Sequence, residues 1–199
     1  MDFDDLGRKL QRMYAELGEA FSVDISNNII DERHTLADGI VRHQVKFGSN
    51  DPIVRENLVF DAVHAIASLK DIINIKLKDK GYSGHEYEIL INQNESLQIL
   101  TDLDNKNKHG NKLSNRRYKE DVTLTNINQV LRGKGITTVR FSTDLVTGKT
   151  ILDKSAGNVK IVIVGDILNN QGVTVGRLDE ILDETTNKIE EFIYTNKLT

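Results

Sequence analysis

The sequence predicts an α+β fold: an N-terminal helical bundle followed by a small antiparallel sheet and a C-terminal helix. Three observations carry this reading. Apolar residues recur at three- and four-residue spacing through most of the first 110 positions. Short β-branched runs bounded by turn residues follow from position 119, the clearest being Lys160-Ile-Val-Ile-Val164 between Gly157-Asn158 and Gly165-Asp166. Helical spacing then returns through Val175, Leu178, Ile181, Leu182, Ile189, Phe192 and Ile193. A sheet this small is not expected to stand alone. Residues 1–199 therefore read as one integrated domain, with a helical part over 1–110 and the sheet plus terminal helix over 119–199.

The elements follow in order. Phe3, Leu6, Leu10, Met13, Leu17 and Phe21 form the stripe of an amphipathic helix, and Ser26-Asn27-Asn28 breaks it. A second helix is expected over 29–47, with Ile30, Leu36, Ile40, Val41 and Val45 inward, although Gly39 weakens it. Pro52, the single proline, follows Ser49-Asn50-Asp51, so Asn50 or Asp51 caps a helix with proline at its first position. From there a broad apolar face through Val59, Val63, Ile66, Ile73 and Leu77 predicts one helix to about Lys80, roughly 40 Å long at ~1.5 Å per residue. Gly81-Tyr-Ser-Gly84 ends it, and a short piece around Glu86–Asn92 follows. The next helix begins near Glu95 or Ser96 and stops at Gly110. Residues 111–118 read as a polar, basic loop. Strands are expected over 122–130, 136–141, 149–152 and 159–164, in a meander turned by Gly133-Lys-Gly135 and Thr147-Gly148, and the last helix runs over 174–196.

Composition narrows the functional classes. Hydrophobic residues make up 38% and charged residues 28%, enough for a core and a well-solvated surface. No run approaches the ~20 apolar residues that cross a bilayer. Met1-Asp-Phe-Asp-Asp5 is acidic where a signal peptide is basic, and cysteine is absent, so a cytoplasmic location is expected. The net charge of −4 argues against general nucleic-acid affinity but leaves room for a local basic patch. His34, His43, His64, His85 and His109 lack metal-ligand spacing, and no metal or cofactor is expected. Gly148-Lys-Thr150 looks like the tail of a phosphate loop, but Thr143 holds the position that needs glycine and no helix pattern follows.

Three polar groups stand out as candidate sites. In the helix ending at Gly110, Asp102, Asn105 and His109 lie at i, i+3 and i+7. Asp102 orienting His109 would suit proton transfer near neutral pH, whereas Asn105 and His109 also suit capping of the helix end. On the 52–80 helix, Asp61, His64, Ser68 and Asp71 form a second stripe, either a register-fixing network or part of the same site. His64 or Asp71 is expected to approach Asp102 or Asn105. Finally, Lys106, Lys108, Lys112, Arg116, Arg117 and Lys119 form a basic stretch without an acid, a phosphate-binding candidate or a solvated connection. Tyr118 is its only aromatic, which limits base stacking.

Ser68-Leu-Lys-Asp71 followed by Thr101-Asp-Leu-Asp-Asn-Lys-Asn-Lys-His109 resembles a group of uncharacterised bacterial helical proteins that carry an Asp-Leu-x-Asn-x-x-Lys-His segment. These are similar in outline to HEPN domains, the helical bundles of many prokaryotic defence and toxin nucleases. The likeness covers about residues 50–118 and implies a ribonuclease using Asp102, Asn105 and His109. Active HEPN ribonucleases carry Arg, then four to six residues, then His. In this chain Arg55 precedes His64 by nine positions and Arg116 follows His109. The leading expectation is therefore a non-catalytic binding or assembly protein of a bacterium or phage, with a HEPN-like ribonuclease as the alternative. A homodimer through apolar helix faces is expected, with a protein partner or nucleic acid at the Lys106–Lys119 stretch as further binding options, and no membrane association.

Overall fold

The computed structural model describes residues 5–21, 29–35, 41–47, 51–110, 116–133, 141–143, 150–152 and 159–198. Phe3, Lys112, Gly148 and most of the strand expected over 136–141 lie outside them. The fold is α+β: helices, a three-stranded antiparallel sheet and a C-terminal helix. No helix among the described residues is long and apolar enough to cross a membrane.

Helix α1 (Asp5–Phe21) buries Leu6 and Met13, seven residues apart, and half-buries Leu10 and Leu17, as its stripe requires. The stretch expected to be a second helix is instead an antiparallel ladder, β1 (Ile29–Thr35) on β2 (Val41–Phe47), with Ile29 opposite Phe47 and Thr35 opposite Val41. Val41, His43, Val45 and Phe47 repeat at period two, and Asp38-Gly39 between the strands is a hairpin-favouring dipeptide. That local chemistry outweighs the coincidental three- and four-residue spacing of the same apolar residues.

The long helix expected over 52–80 is two helices, α2 (Pro52–Ala67) and α3 (Leu69–Asp79), broken at Ser68. The Ser68 hydroxyl donates to the carbonyl of Ala65 (2.9 Å), a competing bond that bends helices, and Lys9 of α1 donates to the Ser68 carbonyl (3.2 Å). The break lets both helices pack on α1. At the start of α2, Asp51 is the cap, its carboxylate accepting from the Ile53 N–H at 2.8 Å. Helices α4 (Glu86–Gln93) and α5 (Glu95–His109) follow, and Asn94 caps α5 through the Leu97 N–H (3.0 Å).

Strands β3 (Val122–Gly133), β6 (Val159–Asn169) and β7 (Thr174–Arg177) form the sheet in the order β3-β6-β7. A simple meander was expected, but β4 (Phe141–Thr143) and β5 (Thr150–Leu152) pair separately and leave β6 to β3. A bulge between Thr125 and Asn128 switches the inward parity of β3. Before it Val122 and Leu124 pack on the core; after it Ile127 does, while Asn126 and Asn128 are exposed. Asn126 takes the left-handed φ of 53° that the bulge needs, and its amide donates to Asp166 (2.9 Å).

Residues 174–177, expected as the first turn of the last helix, are strand β7, and α6 starts only at Leu178 (Leu178–Thr195). Thr174-Val175 is β-branched and Gly176 is a poor helix former. A Cβ at Gly176 would fall 2.6 Å from Ile181 Cδ1, so glycine lets α6 close down on the strand. The core combines Ile66, Leu69, Ile73, Leu97, Leu100, Ile163, Ile167, Leu178 and Ile189, with α1, α2, α5 and α6 packed on the sheet. Phe192 meets Tyr87 edge-on, with ring centroids 5.5 Å apart.

Candidate functional site at the end of α5

Residues two apart on a helix are about 200° apart around its axis. Asp102 and Asp104 therefore leave opposite flanks of α5, and both are buried, with relative exposures of 1% and 4%. Each flank meets a different part of the chain.

Asp102 faces the segment that leads into β3. Its carboxylate accepts the Arg117 N–H at 3.0 Å and the Tyr118 N–H at 2.9 Å. A buried carboxylate that receives two backbone donors is satisfied, and it pins the returning chain to the helix. Tyr118 is buried beside it.

Asp104 faces α2. It accepts from Lys108, one turn on, at 2.6 Å and pairs with Nδ1 of His64 at 3.0 Å. Thus α2 and α5 do meet through the polar stripe, but the carboxylate at the junction is Asp104, which sequence reading passed over. Its signal was its position four residues before Lys108. The His64 side chain is 46% exposed. Asp61 and Asp71 are exposed, and Ser68 serves the helix break. Asn105 is half-buried and His109 is exposed. Gly110, with φ of 84°, stops the helix and returns its N–H to the Lys106 carbonyl at 2.9 Å.

Four of the six basic residues face acids. Lys106, its side chain only 15% exposed, reaches Asp121 (3.1 Å) and also donates to the Val122 carbonyl (2.8 Å) and the Thr123 hydroxyl (3.2 Å). Lys108 pairs with Asp104. Arg117 pairs with Glu88 of α4 (2.7 Å) and donates to Asn92 at 3.4 Å. Lys119 meets Glu95 at 3.4 Å and lies over the Tyr118 ring, 5.3 Å from its centroid. Arg116 is exposed. Glu88 also holds Lys70 of α3. Partial burial pushes the Glu88 carboxyl up, but the Lys70 and Arg117 hydrogen bonds and charges outweigh it and hold the group below the usual glutamate range. The Glu95 hydrogen bond and charge raise Lys119.

Arg117 is thus a junction. Its backbone is held by Asp102, and its side chain reaches α4. Sequence reading found the residue but not this role, because both partners are distant in sequence.

Chemically, the arrangement fastens the chain after α5 to α4 and α5. Among the described residues no group of three or more histidine or acidic side chains is placed to hold a metal ion. Phe60, Leu103, Lys106, Asn107 and Leu124 border a cavity of about 360 Å³ at the α2–α5–β3 junction. No protein family, curated protein or solved structure matches the chain.

Proposed function

We propose that this chain is a non-catalytic binding or assembly protein. One observation carries the reading. Asp102, the buried carboxylate a nuclease would need at the end of α5, and four of the neighbouring cations are already engaged in holding the fold. Asp102 carries two backbone amides, and Lys106, Lys108, Arg117 and Lys119 each face an acid. The Asp102 oxygens are taken up by backbone amides, and a neutralised cation offers little to a phosphate backbone. The HEPN-like alternative rests on the sequence resemblance and on the exposure of His109 at the helix end.

Several apolar side chains are exposed elsewhere on the chain. Ile53, Ile75, Ile89, Val173 and Tyr194 are all more than half exposed, with Tyr194 at 85%. An exposed tyrosine such as Tyr194 is a typical interface anchor, and a second copy of the chain is the partner this reading allows first.

Copurification from the native host, with protein and nucleic acid quantified in the same eluate, tests the reading. A protein partner or a second copy in fixed stoichiometry, without nucleic acid, is expected. Stoichiometric RNA that the protein cleaves, with cleavage lost in His109→Ala, would overturn it.

A further inference from the structure

Strand β7 is the last strand of its sheet, paired through β6 alone among the described residues. Backbone N–H and C=O groups of a strand point alternately to both sides, so such an edge is a template for another strand. Natural edges are usually covered or blunted by charge. A cleft of about 430 Å³ is lined by Val175, Gly176 and Arg177 of β7 and by the start of α5.

The lining of this cleft has two characters. Ile99 and Ile181, both buried, give it an apolar floor. Glu95, Glu180 and Glu184 supply three carboxylates at its margin. The neighbouring cations do not cancel them all. Arg177 is engaged by Asp179 at 3.3 Å, Lys119 reaches only Glu95, and the Glu184 carboxylate accepts from the buried Ser96 hydroxyl at 2.6 Å.

We propose that this cleft takes a basic, extended peptide segment that adds to β7 as a fourth strand of the sheet. The inference rests on the binding-protein reading above and names the chemistry of its partner. The backbone edge asks for hydrogen-bonding groups repeated at strand spacing, which a small cation lacks. The floor and margin ask for alternation, apolar residues toward Ile99 and Ile181 and lysine or arginine toward the carboxylates. This combination is the signature of strand addition, with main-chain bonds giving affinity and alternate side chains giving specificity. Charge complementarity fixes the sign of the partner.

The test uses the full chain, labelled with 15N, titrated at low salt with a decapeptide of alternating lysine and valine. The glutamate–valine decapeptide serves as the opposite-charge control. Amide shifts concentrated at residues 93–96 and 174–177 are expected for the basic peptide and none for the acidic one. Glu180 is exposed. Glu180→Lys should raise Kd about fivefold while melting falls by no more than a few degrees, the effect of a cation in the first turn of α6, and Glu180→Gln should raise it less. Absence of binding, shifts centred elsewhere, equal binding of both peptides, or indifference to Glu180→Lys would each overturn the proposal. If the decapeptide fails while a native protein partner still copurifies, the cleft assignment falls and the binding-protein reading stands.

Discussion

Removing the Asp102 carboxylate separates a structural role from a catalytic one. In Asp102→Ala the amides of Arg117 and Tyr118 lose their acceptor at a position where Asp102 is 1% and Tyr118 5% exposed. Hydrogen bonds to a charged group contribute about 1.5–3 kcal/mol each, and buried donors left without partners cost their desolvation. With two such amides, the expected loss is about 3–6 kcal/mol, a Tm decrease of roughly 6–24 °C for a chain of this size. Asp102→Asn keeps one acceptor oxygen and should fall between Ala and the native residue. Urea unfolding followed by far-UV circular dichroism measures the loss, and an unchanged m-value keeps the comparison clean. A change within about 0.5 kcal/mol would refute the reasoning, as would a more stable variant, because catalytic groups are often held at a cost in stability.

Other consequences follow from the same geometry. A double-mutant cycle on His64→Ala and Asp104→Asn should give a coupling near 1 kcal/mol or below, since the His64 side chain is 46% exposed; a coupling above about 3 kcal/mol contradicts this. The folded Glu88 carboxyl titrates below its unfolded value, so its stabilisation is present above the unfolded range and is lost as pH falls through the folded value. Glu88→Gln should therefore flatten the acid limb of the stability–pH profile while changing little in its slope near pH 7. Asn126, at φ of 53°, should tolerate glycine within about 0.5 kcal/mol but lose about 1–2 kcal/mol on change to valine, as read by urea midpoints. Equal effects of glycine and valine would remove the left-handed bulge from the account.

The fold class and several helix ends were legible because their determinants are local. The α1 stripe, the Asp51–Pro52 start of α2 and the Gly110 stop all depend on neighbours within one or two turns. Residues 29–47 were misread because Val41 and Val45 fit both helical and strand periods, and only Asp38-Gly39 and the alternation through Phe47 break the tie. The Ser68 break depends partly on Lys9, a residue 59 positions away. Strand β7 depends on β6 being in place to pair with it. At the site, Asp102 is buried, Asn105 half-buried and His109 exposed, and helical spacing carried no information about what faced the Asp102 flank. The polypeptide returning at Arg117 and Tyr118 occupies it. The basic stretch had the same blind spot: its residues are contiguous in sequence, while the acids that match them come from α4, α5 and the start of β3.

The central claim is that the polar and basic groups around the end of α5 serve the fold. Fluorescence anisotropy of a labelled single-stranded RNA, titrated with the purified protein at low salt, tests it most directly. With four of the basic side chains already facing acids and a net charge of −4, no binding is predicted up to tens of micromolar. Micromolar binding whose salt slope drops by about two units when Arg116 and Arg117 are both changed to alanine would contradict it.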